Sequence, residues 1–436
     1  MTNGTAVGIG PGSMAFDERT YAKVTWRLLP LLFLCYIVAY LDRVNVGFAK
    51  LQMLSDLQFS ETVYGLGAGI FFLGYFLFEV PSNLILHRVG ARRWIARIMI
   101  TWGLISSAMM FVTTPTMFYI LRFLLGVAEA GFFPGIILYL TYWYPAHRRG
   151  RITSLFMTAV PLAGVIGSPV SGWIMERFAG LHGWAGWQWL FLLEGMPSVL
   201  VGILVLVYLE NGIQSAKWLT DAEKTYLADQ IRNDKAPDSD HSFGGAMRNP
   251  KVWILSFIYF GVVMGLYGIG FWLPTLVKAT GVKSAMDIGL LSAIPYAAAT
   301  LAMVLVGRSA DARRERRWHF AIPCFVGAVG LVMSAVYAAN TQLALLSLTL
   351  ACAGILGALP LFWSCPTAIL TGAAAAGGIA WINSLGNLAG FVSPYMVGYI
   401  KDLTQSTNAG MYALAAFLVM SALLMLLCIP ARLVDR

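Results

Sequence analysis

Charge is what this sequence has least of. Only 12% of its 436 residues are Asp, Glu, Lys or Arg, about half the share of an ordinary soluble chain. That excludes a string of water-solvated domains, whatever the length suggests. Cysteine is scarce as well. Cys35, Cys324, Cys352, Cys365 and Cys428 all stand in apolar stretches and none forms a CxxC pair, which excludes a disulfide framework and a thiolate metal site. The five histidines, His87, His147, His182, His241 and His319, fall in loops or at the ends of apolar stretches. Histidine is therefore not the expected carrier of a proton through the interior. HExxH, GxSxG and Walker patterns are missing, so neither an enzyme activity nor ATP-driven work is expected, and no cofactor is implied. Met1–Ala22 is polar and Gly-rich without an apolar core, so it is not expected to be a cleaved leader. The first apolar stretch serves as the insertion signal instead.

What is present is apolar length. Hydrophobic residues make up 58% of the chain, and the mean hydropathy is +0.71. Twelve stretches long enough to span a bilayer run at roughly 25–46, 61–85, 94–114, 117–143, 152–175, 187–209, 252–276, 287–307, 318–338, 343–370, 376–399 and 410–430. The fold class is therefore an all-α membrane protein. The net charge of +9 is a topology signal rather than a nucleic-acid footprint. Of the 30 Lys and Arg, Arg43 and Arg122 are intramembrane. Lys50, Arg177, Lys278, Lys283 and Lys401 lie on the side of the first loop, and the other 23 lie on the side of the N-terminus. Positive residues stay cytoplasmic, so both termini are expected inside and the protein in the cell (inner) membrane.

Six stretches precede the longest polar segment, Glu210–Asn249, and six follow it. The expected plan is a cytoplasmic segment 1–24, a six-helix bundle 25–209, a linker 210–251, a second bundle 252–430 and a tail 431–436. The linker opens an amphipathic helix at Thr220 with Glu223 three residues on, a capping-box spacing. Asn233–Ser242 reads as flexible. The two halves repeat. Gly307, Asp311, Arg316 and Arg317 after the eighth stretch align with Asn83, His87, Arg92 and Arg93 after the second, with Arg88 also in the first copy. This loop resembles the signature of the major facilitator superfamily, with the first copy departing at Asn83 and His87. The resemblance implies twelve transmembrane helices in two pseudo-symmetric halves. It gives Asp311, Arg316, Arg317, Arg88 and Arg92 gating or structural roles. The run Pro161 to Gly172 also fits, and reads as close packing through small residues.

The two intramembrane arginines carry the functional reading. A charge in hydrocarbon costs at least about 2.5 kcal/mol, so its presence marks a site. Tyr36, Tyr40 and Arg43 recur at i, i+4, i+7 on one helix face, and Arg122 and Glu129 lie two turns apart, about 10 Å along their axis. Two guanidiniums at one depth form a carboxylate clamp. Asp42 and Glu129 are the titratable neighbours, and substrate arrival beside them would change the balance of burial and charge that sets their protonation. Tyr40 to Asn45, Arg122 to Glu129, Phe78 to Asn83 and Trp187 to Gly195 together resemble the anion:cation symporter family of that superfamily. Tyr142 to Arg151 and Thr158 to Pro161 are most similar to its bacterial tartrate, phthalate and hydroxyphenylacetate branch.

That family implies that Arg43 and Arg122 hold a carboxylate and that Asp42 and Glu129 carry protons. It also implies cavity contacts from Tyr40, Tyr75, Asn383 and Asn387. Trp363 and Ser364 add aromatic and hydroxyl surface, with Tyr259, Tyr267 and Trp272. Glu79 either closes a gate or caps a helix, and Glu194 is read as structural. The expected partners are a small organic anion, protons and membrane lipid, for a monomer. An organic-anion exchanger would use the same arginines without titration of Asp42 and Glu129. A non-transporting sensor would need a larger cytoplasmic domain than about forty residues supply.

Overall fold

The computed structural model describes residues 11–233, 248–370 and 373–434. The flexible stretch expected at 233–242 lies outside them from residue 234 on, His241 included. Lipid offers no hydrogen bonds, so a spanning backbone must satisfy its own, and helices do so here. In chain order they are α1 (Pro11–Val44, continued as Val46–Leu57), α2 (Glu61–Val89), α3 (Ala91–Ala108) and α4 (Pro115–Glu129, then Phe132–Thr141). Next come α5 (Ala146–Met157, then Ala159–Arg177), α6 (Gly186–Tyr208), a linker helix (Asp221–Asn233) and α7 (Pro250–Ala279). The chain closes with α8 (Ala285–Arg313), α9 (Arg317–Val336), α10 (Thr341–Ile369), α11 (Ala373–Thr404) and α12 (Asn408–Cys428). Among the described residues, eleven helices are long and apolar enough to cross a membrane; α11 adds a helix of 32 residues.

Packing in the second six helices repeats that in the first. The pairs α3–α6, α2–α4, α1–α5 and α1–α6 have counterparts in α9–α12, α8–α10, α7–α11 and α7–α12. The two sets meet along α2–α11 and α5–α8, with α1 against α7. Glycines set these approaches: Gly65 and Gly69 lie against α11 backbone, and Gly172 and Gly289 close the α5–α8 seam. The Pro161–Gly172 run therefore packs across the two halves, with Gly164 on Tyr296. We call the end where α1 turns into α2 the loop end, and the end that carries the linker the terminus end.

Two boundaries differ from expectation. Helix α1 starts before residue 25 and runs past residue 46. Its polar first turns are held by the linker helix, with Lys23 on Glu223 at 2.9 Å and the Tyr226 hydroxyl donating to Asp17 at 2.8 Å. Its last turns stay helical because Val46, Phe48, Ala49 and Met53 are buried. Helix α4 breaks after Glu129, where Gly131 adopts φ +81°, a backbone region that glycine enters without strain. A side chain there would also strike Ser82.

Candidate functional site

The Arg43 guanidinium is the centre of the buried polar groups between the halves. It donates to the Tyr267 hydroxyl of α7 at 3.0 Å and makes an ion pair with Glu129 of α4. Arg43 is 7% exposed and Glu129 1%. Phe71 lies beside both arginines, its ring centre 5.4 Å from the Arg43 guanidinium and 5.1 Å from that of Arg122. Tyr75, one turn along α2, is 5.6 Å from Arg43. Arg43 and Arg122 thus converge on one ring, and Tyr75 belongs to the same group.

The partners of the other intramembrane charges lie on different helices. Arg122 does not pair with Glu129; its Nε and Nη2 donate to the Gly67 and Ala68 carbonyls at 3.2 Å each. Close contact of Gly126 with Phe71 backbone brings α4 near enough for that reach. Glu129, two turns on, meets Arg43 instead because the facing α1 supplies a cation at its level. Asp42 does not lie against its neighbour Arg43. Successive helical residues point about 100° apart, and Asp42 turns back into its own half. There it accepts from Trp102 Nε1 at 2.8 Å, Ser106 at 2.9 Å and Ser198 at 2.5 Å. Tyr36 stacks on Phe156 at 4.6 Å. Tyr40 is buried near Gly270 with its hydroxyl unpartnered.

Glu79 of α2 accepts from Asn383 at 2.8 Å and Asn387 at 3.3 Å, both on α11. The three residues form a bridge between the halves rather than a helix cap. The two asparagines therefore face Glu79 here and not the arginines. Trp363 packs edge-on to Tyr259 at 4.9 Å, and the Ser364 hydroxyl donates to Leu361 of its own helix at 2.6 Å. In the repeated loops, Arg316 pairs with Asp311 at 3.1 Å and Arg317 donates to the Leu426 carbonyl. In the first copy the Arg92 backbone N–H donates to Asn211 at 3.1 Å, while Arg88 is exposed.

A second charged cluster was not foreseen. Lys50, expected in a loop, is 4% exposed. Its ammonium is 2.7 Å from Glu61 and 3.3 Å above the Trp272 ring of α7. Lys401 of α11 also pairs with Glu61. Asp402 accepts from the Glu61 and Thr62 backbone N–H groups at 3.2 and 2.7 Å, capping α2 from the other half. These contacts latch the loop end. The available signal was the apolar spacing of Val46, Phe48, Leu51 and Leu54 after the expected end of the first span.

Residues 32–394 match the family model of the Major Facilitator Superfamily. A Pseudomonas putida protein that bears the name metabolite transport protein NicT is 53% identical over 418 residues, covering 95% of each chain. An Agrobacterium vitis protein named for tartrate transport is 51% identical over 413 residues, 94% of this chain and 91% of its own. In fold, the chain is similar to the inward-facing, occupied crystal structure of a bacterial homologue of the human lysosomal transporter Spinster. That match has a TM-score of 0.74 at 17% identity and covers 94% of this chain and 97% of the other. The chain belongs to the major facilitator superfamily. It is a membrane transporter of a small organic substrate, not an enzyme.

Proposed function

We propose that this transporter takes up a small organic carboxylate, with tartrate first among candidates, together with protons by alternating access. The observation that carries the reading is the Arg43–Glu129 pair buried between two halves, with Arg122 at the same ring. A guanidinium presents a planar fork that suits a carboxylate. A substrate carboxylate arriving at Arg43 competes with Glu129 for it. Glu129 released from its cation in a buried setting takes up a proton, since an unpaired charge there is costly. Substrate and proton thus load together. Asp42 acts at one remove: its protonation would weaken the three bonds that hold α1 against α3 and α6. The resemblance to the tartrate branch and the tartrate-named relative support the substrate class.

In this reading residues 25–209 and 252–430 are the moving halves and 210–251 the cytoplasmic linker. The chain sits in the inner membrane with both termini cytoplasmic, so a cysteine at Thr114 would label from outside. The chain works as a monomer. Labelled tartrate and related carboxylates in proteoliposomes test the function. Accumulation should follow an imposed pH gradient, inside alkaline. Uptake indifferent to that gradient, but stimulated by substrate on the far side, would make the protein an exchanger.

A further inference from the structure

Glu194 on α6 is a buried carboxyl to which the proposed function gives no role. It is 4% exposed. Its Oε1 accepts from the Ser171 hydroxyl of α5 at 2.6 Å. Among the described residues no lysine or arginine pairs with it. Beside it stands Asn45, 2% exposed, whose side-chain amide interacts with the carboxyl. A fully buried hydroxyl on α8, that of Ser292, is unpartnered. Asn45, Ser168, Ser171, Ser292 and Tyr296 line one cavity of about 20 Å³, room for about one water.

The walls of this cavity come from α1 and α5 on one side and α7 and α8 on the other. It therefore sits on the seam between the halves. Toward the loop end, tight contacts of Gly172 with Ala285 and of Gly289 with Ser168 seal it. Glu176 adds a clasp there, accepting from Ser284 at 2.7 Å and from the Met286 N–H at 3.1 Å. Separation of α5 from α8 would open the cavity to that side.

We propose that Glu194 is a further proton-binding residue of this carrier, loaded and emptied through this cavity when the loop end opens. A carboxylate without a cation partner is costly to bury, so closing the seam favours the protonated carboxyl. The proton passes from the cavity along Ser171 or Asn45 to Glu194, converts carboxylate to neutral carboxyl, and leaves by the same path. No other bond changes. The surrounding elements offer one competing charge, Asp42 on α1. Helix α5 presents Ser171 and α3 presents Ser107, both neutral. Asp56, near the start of α6, accepts from Trp187 Nε1 at 2.9 Å.

The inference rests on the proton-coupled reading for its purpose, but its test does not need substrate. Infrared difference spectra of the purified full chain, titrated across the neutral pH range, read carboxyl protonation directly. A protonated-carboxyl C=O band should appear and vanish with pH, be lost in Glu194→Gln, persist at a shifted position in Glu194→Asp, and move in Ser171→Ala. Spectra identical in parent and Glu194→Gln, or a band that never responds to pH, would overturn the proposal. A second arm measures proton and tartrate movement together in proteoliposomes. Glu194→Gln should move one proton fewer per tartrate while still exchanging tartrate; an unchanged ratio counts against the proposal. If the parent moves no tartrate, the function reading fails while the spectra still decide Glu194. If Glu194→Gln does not fold, Glu194→Asp carries the spectral test through its band shift.

Discussion

The two halves pack alike and are chemically opposite. Asp42, Arg43, Lys50, Glu79, Arg122, Glu129 and Glu194 are buried, and all belong to the first half. No ionisable Asp, Glu, Lys or Arg of the second half is buried among the described residues. That half answers with neutral groups: the Tyr267 hydroxyl to Arg43, the Asn383 and Asn387 amides to Glu79, the Trp272 face to Lys50. Its charges, Lys401 and Asp402, stay at the rim. The division has a physical consequence. Charges cost several kcal/mol when stripped of their partner in a buried place, whereas a hydrogen bond between a charge and a neutral group is worth about 1.5–3 kcal/mol. The Arg43–Glu129 pair faces the second half, but both of its members stand on helices of the first. In the proposed alternation the seam would part mostly at neutral partners, and the buried charges of the first half would remain together.

The largest break in this comparison is at Arg43. Arg43→Gln leaves Glu129 buried without its cation, a loss of about 3–5 kcal/mol for a broken buried pair. Tartrate uptake should disappear. Arg43→Lys keeps the charge but cannot hold Tyr267 and Glu129 from one planar fork, so binding should fall at least tenfold, read by equilibrium binding. Tyr267→Phe removes only the neutral partner and leaves the Arg43–Glu129 pair in place, so it should weaken binding less than Arg43→Lys does in the same measurement. Equal losses in Arg43→Lys and Tyr267→Phe would mean that the halves share the site evenly.

Next is Glu79, where charge meets amides across the seam. Glu79→Gln weakens two charge-assisted bonds, each worth about 1.5–3 kcal/mol. The terminus end should open more readily, seen as faster labelling of single cysteines placed along α11. Asn383→Ala combined with Glu79→Gln should add little to either alone. Independent, additive effects would remove the bridge.

Lys50 offers a smaller effect at the opposite end. Lys50→Met keeps contact with Trp272 but leaves Glu61 to Lys401 alone. Cysteines near residue 285 should label faster, by several-fold, and Glu61→Gln should act in the same direction. Slower labelling would show that Lys50 props the loop end open rather than latching it.

How much of this was legible follows from what side chains see along the chain. Helix count, the repeated halves and the burial of Arg43 and Arg122 all follow from apolar length and the exclusion of charge. Pairings did not follow. Asp42 and Arg43 are neighbours in sequence, yet helical rotation sends them to different helices. Arg122 and Glu129 share a spacing, but tight packing at Gly126 offers Arg122 two backbone carbonyls first. Lys50 was hidden because its counter-charges, Glu61 and Lys401, lie on other helices. Glu194 was read as structural, since nothing in its own segment announces Ser171 and Asn45, which join it to a cavity on the seam.

The smallest predicted effect asks which half owns the linker. Its helix docks on the first half through Lys23–Glu223, Tyr226–Asp17 and an edge contact of Phe16 with Tyr226 at 5.5 Å. Burial alone would push the Glu223 carboxyl up, but the Lys23 ammonium and the Thr220 N–H outweigh it and hold it below the usual range. A carboxyl depressed by folding stabilises docking above its unfolded value, about 4.3. That contribution is lost as pH falls through the lower, folded value. Hydrogen exchange of the Asp221–Asn233 amides should therefore show docking intact at neutral pH and loosened in acid. Glu223→Gln should flatten this dependence and cost no more than about 1 kcal/mol, since the pair lies near water. If exchange in this helix instead follows substitutions in α7 or α11 and ignores Glu223, the linker belongs to the second half, and the asymmetry between the halves stops at the membrane.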